Sequence, residues 1–198
     1  MRVRSQWFNS TRPRTPEDIA SAVAFISWRI AQNALQHVRK ARFDVEVGPQ
    51  YFAFLQEFLI FLTQLADRIV FRQYHWHDRV AFVTALAHRM GDILAENQAD
   101  LLGYPARDSK ERFISLLNER ADTYAECSYA PADMNFAFVR YLGHSLQSVM
   151  HSADQVWIVD QIMAIEAPEA IETLEKALKN LLDDTPREER QGPLTGPD

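Results

Sequence analysis

A long apolar segment, residues 51–71, is the feature that most constrains how this 198-residue chain folds. Its polar exceptions are Gln56, Glu57, Thr63, Gln64, Asp67 and Arg68. At about 100° per residue these side chains fall on one strip roughly 140° wide, as on a helix with one polar edge. Three of them are charged, and charges are costly in lipid. The segment therefore predicts a mostly buried helix with a polar edge in contact with water, and no membrane span.

Apolar residues recur with the same helical period through the rest of the chain. The residues Thr15-Pro16-Glu17-Asp18 combine an N-cap residue, a first-turn proline and two acids, which is typical of a helix start. Gly48-Pro49 and Pro168 interrupt the periodic stretches, and no alternating pattern predicts a strand. We therefore predict an all-α fold, a single-domain bundle of six to seven helices.

The two ends of the chain differ in composition from its body. Residues 1–14 carry four arginines and no acid, so we expect a basic flexible arm there. Residues 184–198 are rich in proline, glycine and charge, which favours a disordered tail. The helical bundle domain is then expected over residues 15–183.

Composition argues against several classes of function. The chain has 21 basic and 27 acidic residues and a net charge of −6, so we expect no nucleic-acid partner. The single cysteine, Cys127, excludes an intramolecular disulfide framework and a multi-cysteine metal site. No histidine follows an acid by three residues, which argues against a ferritin-like di-iron site. No apolar secretory segment follows the start, so we expect a cytoplasmic protein.

The densest group of polar and aromatic residues is Tyr74-His75-Trp76-His77-Asp78, directly after the apolar segment. Imidazole and carboxylate groups are good ligands for divalent metals, and a corner between helices can bring them together. The candidate metal ligands are His37, His75, His77 and Asp78. The order of His37, then His77-Asp78, then a later acid such as Asp133 or Asp154, is the ligand order of HD-type phosphohydrolases. In that alternative function a bound metal activates water for attack on a phosphoester.

Two apolar residues, Ile60 and Phe71, project onto the polar edge of the apolar segment. Apolar side chains on such an edge are typical of a contact surface. We therefore predict a protein that acts through contacts with a protein partner or with itself as a homo-oligomer, with no catalysis and no cofactor. A divalent metal is expected only for the phosphohydrolase alternative. A third hypothesis, a pocket for an apolar ligand, rests on the five phenylalanines between residues 52 and 71.

Overall fold

The computed structural model describes residues 14–127 and 136–183, and these residues form helices and no strand. Its seven α-helices are α1 (Pro16–Lys40), α2 (Pro49–Val70), α3 (Trp76–Leu102), α4 (Ala106–Glu126), α5 (Phe136–Gln147), α6 (Gln155–Gln161) and α7 (Ala167–Leu182). A π-helical turn, Ile162–Glu166, joins α6 to α7 without a break. The predicted all-α bundle is confirmed for this part of the chain. The predicted arm before Arg14, the tail from residue 184 and Asp133 lie outside the described residues.

The apolar segment forms α2, which is the central helix of the bundle. It contacts α1, α3, α4, α5 and α7, so its side chains meet other helices on most sides. The phenylalanines at positions 52, 54, 58 and 61 are each at most 1% exposed and belong to the core. No described helix combines the length and apolarity that a membrane crossing needs.

The polar edge of α2 is only partly open to water, because α4 lies against it. Glu57 is 5% exposed and forms an ion pair with Arg120 of α4. Arg68 donates a hydrogen bond to the backbone oxygen of Tyr124, near the end of α4. The polar strip therefore joins two helices and also forms a partly exposed edge of the protein.

The predicted surface role of Ile60 is wrong, because other helices also cover its position on α2. Its side chain is fully buried in the core and contributes nothing to an exposed surface. A helical projection shows which residues share one edge, but not which other helices cover that edge. Phe71, at the open end of α2, is 63% exposed, so the predicted contact surface retains this residue alone.

The start of α1 has the capping arrangement that its sequence indicates. Thr15 Oγ1 accepts a hydrogen bond from the Asp18 backbone at 3.2 Å, and the Asp18 carboxylate accepts one from the Thr15 backbone at 3.1 Å. We expect Thr15→Ala to lower the free energy of unfolding by about 1 kcal/mol in urea denaturation. Ser21→Ala, on the exposed face of the same helix, is the control, and an equal loss in both variants would contradict this role of the cap.

Candidate functional site

Exposed apolar side chains gather where α2 passes into α3. Phe71 is 63% exposed, Trp76 is 74% exposed and Val80 is 43% exposed. Trp76 and Val80 are four residues apart on α3, so they share one face of that helix. We call Phe71, Trp76, Val80 and Arg79 the aromatic corner. Among these residues, the sequence pattern predicts a surface role only for Phe71.

Arg79 holds the aromatic corner in a fixed arrangement. Its Nε and Nη2 atoms donate to the two carboxylate oxygens of Asp67 at 2.6 and 2.7 Å. The same guanidinium lies 4.7 Å from the centre of the Phe71 ring and 5.9 Å from that of Trp76, within cation–π range. The hydrogen bonds to Asp67 raise the pKa of Arg79 above its ordinary value. A charged, bidentate pair therefore fixes the guanidinium plane between two exposed rings.

The histidines next to the aromatic corner do not gather into a set of ligands. His77 Nδ1 lies 3.6 Å from Asp78 Oδ1, and the His77 side chain is 95% exposed. His75 is the N-cap residue of α3 and is also exposed. Within residues 14–127 and 136–183, no third imidazole, thiol or carboxylate joins His77 and Asp78. His37 groups with other acids, so the described structure does not bring the four predicted ligands together.

His37, in the last turn of α1, lies beside two carboxylates, one from the π-helical turn and one from α7. Its Nδ1 is 3.3 Å from Oε2 of Glu166 and 3.7 Å from Oε2 of Glu169. One potential ligand atom from each residue lies within 4.8 Å of the others, and no other such group of three occurs in the described ranges. We call these three residues the His37 cluster. Of these three residues, only His37 belongs to the ligand set predicted from the sequence.

Glu166 is the buried member of the His37 cluster, with a side chain that is 1% exposed. Gln161 Nε2 donates a hydrogen bond to Glu166 Oε1 at 2.9 Å. Burial raises the pKa of Glu166, and the contacts with Gln161 and His37 partly oppose this effect. A π-helix brings residues five apart onto one another, which explains how Gln161 reaches Glu166. No local sequence pattern predicts this turn.

A further polar cluster lies between α2 and α4. Arg120 donates to the Glu57 carboxylate from Nη2 at 2.9 Å and from Nε at 3.3 Å. The hydrogen bond to Glu57 raises the pKa of Arg120 well above its ordinary range. Burial, together with the charge of Glu57, raises the pKa of Tyr124. Glu57 and Tyr124 are almost closed to solvent, so this cluster joins α2 to α4 and offers little access to a ligand.

An open groove of about 390 Å³ lies between α1 and α3. Phe25 and Trp28 line it together with polar side chains such as Gln32 and Asn97. None of the five phenylalanines between residues 52 and 71 lines this groove. This groove therefore gives no support to the apolar-ligand hypothesis, which stays a prediction.

Comparisons with known protein families, with curated proteins and with solved structures found no match for this chain. Its own fold and the geometry of its sites are therefore the grounds for proposing a function.

Proposed function

We propose that this protein acts by self-association, with the aromatic corner as the contact between two copies of the chain. The observation that carries the proposal is the exposure of Phe71, Trp76 and Val80 around a guanidinium that Asp67 already holds. Tryptophan and arginine are among the residues most enriched at interface hot spots. The proposed role involves no catalysis, and it keeps the cytoplasmic location expected from the sequence.

The size of the aromatic corner suits the centre of an interface. Its exposed apolar side chains present roughly 400 Å², judged from typical side-chain areas. A standard interface covers about 800 Å² on each partner and has an apolar centre within a polar rim. Arg72, His75 and His77 are exposed next to the corner and would supply such a rim. We therefore expect a reversible dimer with an interface of ordinary size.

The chemistry of the aromatic corner favours a second copy of the same chain as the partner. In a twofold-symmetric dimer a patch meets its own copy, so it must contain both members of each contact. The corner offers ring faces and a guanidinium, and the exposed pair of His77 and Asp78 lies beside it. A guanidinium of one copy can therefore contact a ring of the other, and an acid can contact an imidazole. Two copies of the chain supply both members of each contact without another protein.

Sedimentation equilibrium on the full chain tests the proposal. We expect the wild-type mass to rise toward twice the chain mass of 22.8 kDa as concentration increases. Trp76→Ala should raise the Kd of the dimer at least thirtyfold, because truncating one hot-spot residue costs about 2 kcal/mol of binding free energy and a symmetric dimer loses two. Phe71→Asp should remain monomeric at the same concentrations, since it places a charge in the apolar contact.

Trp157→Ala is the matched control, because Trp157 is a tryptophan of similar exposure (64%) on α6. This variant should dimerise like the wild type. A wild-type mass of 22.8 kDa at every concentration would overturn the proposal and leave a different partner as the occupant of the corner. Equal effects of Trp157→Ala and Trp76→Ala would also overturn it.

A further inference from the structure

We infer that His37, Glu166 and Glu169 form a binding site for a first-row divalent metal ion such as Zn²⁺ or Mn²⁺. The three residues come from α1, the π-helical turn and α7, whereas the aromatic corner lies between α2 and α3. The two sites therefore lie on different helices, and metal binding at the His37 cluster does not require self-association. Of the four ligands predicted from the sequence, the proposed site contains only His37.

The distances within the His37 cluster suit a shared ion. Ligand atoms about 2.0–2.2 Å from a tetrahedral zinc ion lie roughly 3.3–3.6 Å from one another. His37 Nδ1 lies 3.3 Å from the Glu166 oxygen and 3.7 Å from the Glu169 oxygen. One ligand atom of each residue also lies within 4.8 Å of the other two, so small side-chain rotations would bring all three groups to one ion.

The charges of the His37 cluster also favour a bound cation. Glu166 and Glu169 are three residues apart on one helical face, where like charges repel each other. In the ranges that the structure describes, neither carboxylate forms an ion pair with a lysine or arginine, and His37 is their one cationic partner. A buried carboxylate such as that of Glu166 is costly unless it is paired. A divalent ion would offset both the repulsion and the cost of burial.

Glu166 is already oriented for this role. Gln161 binds its Oε1 atom, and its Oε2 atom faces His37. Hydrogen bonds of this kind orient the carboxylates that bind metals in proteins. The π-helical turn that brings Gln161 to Glu166 is a feature found frequently at functional sites. Gln161 is therefore a positioning residue for the proposed site.

The type of ion follows from the donor atoms. One imidazole nitrogen and two carboxylate oxygens suit Zn²⁺, Mn²⁺, Fe²⁺ or Co²⁺, whereas Ca²⁺ and Mg²⁺ prefer oxygen ligands throughout. Three protein ligands leave a coordination position for water. The side chains of His37 and Glu169 are 45% and 61% exposed, so solvent reaches that position.

Isothermal titration of untagged, EDTA-treated and dialysed full-length protein with ZnCl₂ tests the inference. We expect saturable binding of one ion per chain. His37→Ala and Glu169→Gln should each weaken binding more than a hundredfold, whereas loss of the positioning residue in Gln161→Ala should weaken it about tenfold. His77→Ala is the matched control, because His77 is also an exposed histidine beside an acid, and its Zn²⁺ binding should equal that of the wild type.

Co²⁺ gives an independent spectroscopic readout, since the visible absorption of the protein-bound ion should be lost with His37→Ala and kept with His77→Ala. Circular dichroism without metal checks that each variant is folded. Glu169→Gln changes the exposed carboxylate and leaves the buried Glu166 in place, so it should not prevent folding. Absence of saturable Zn²⁺ binding, or binding that His37→Ala and Glu169→Gln leave unchanged, overturns the inference. Binding lost only with His77→Ala overturns it in favour of the corner histidines.

Discussion

Arg120→Met is expected to lower the free energy of unfolding by about 3 kcal/mol, because it leaves the buried Glu57 carboxylate without its cation. Glu57 is 5% exposed, and Arg120 donates two hydrogen bonds to it. The expected loss is at the lower end for a buried pair, since the Arg120 side chain is 23% exposed and water partly replaces it. Urea denaturation followed by circular dichroism measures the change.

Two variants separate the loss of this pair from other effects of the substitution. Glu119→Ala removes the second acid that binds Arg120, at 2.9 Å, but Glu119 is 68% exposed. Its loss should cost less than about 0.5 kcal/mol. The double variant Glu57→Leu/Arg120→Met removes both charges and should regain most of the lost stability. A double variant no more stable than Arg120→Met would contradict this account of the pair.

Phe61→Ala is expected to lower the free energy of unfolding by about 3–5 kcal/mol, the range for deleting a buried aromatic ring. Phe61 is fully buried, and its ring centre lies 5.1 Å from that of Phe138 and 6.4 Å from that of Tyr124. These rings belong to α5 and α4, so the resulting cavity would open where three helices meet. The same urea denaturation measures the change.

Phe136→Ala is the control for Phe61→Ala. It removes the same ring from a position that is 61% exposed, at the start of α5. We expect a change within about 0.5 kcal/mol, as for most surface substitutions. Similar losses in the two variants would show that the junction of α2, α4 and α5 is not the tightly packed core described above.

The sequence allowed prediction of those features of the fold that depend on neighbouring residues. The Thr15–Asp18 cap and the start of α1 are confirmed, because a cap involves residues only three positions apart. The segment 51–71 was correctly predicted as a mostly buried helix, since its composition alone favours burial. In the same way, the helical spacing of apolar residues in the rest of the chain correctly predicted an all-α fold.

The surroundings of each helix could not be predicted in this way. The polar strip of α2 shows the same pattern whether water or another helix covers it, and Glu57 and Ile60 lie under α4 and the rest of the core. The polar group at residues 74–78 suggested metal ligands, but the structure shows exposed histidines beside an aromatic surface there. Whether a polar edge faces water or another helix depends on tertiary contacts. The local pattern of one sequence does not reveal these contacts.

The His37 cluster shows the same limit at a possible functional site. His37 and Glu166 are far apart in the sequence, and they meet only because α1 lies against α7. The spacing of Glu166 and Glu169 was visible, but acids three apart are common on exposed helical faces. The π-helical turn, which lets Gln161 reach Glu166, has no signature among the residues that form it.

In the proposed dimer, two copies of the chain meet at the aromatic corner. Double electron–electron resonance tests this contact, with a nitroxide label at position 88, an exposed residue of α3 outside the corner, introduced by His88→Cys in a Cys127→Ser background. We predict a defined distance between labels of two chains that disappears on dilution with unlabelled protein and on adding Phe71→Asp. No dipolar coupling at concentrations where sedimentation shows a dimer, or coupling unchanged by Phe71→Asp, would contradict the claim.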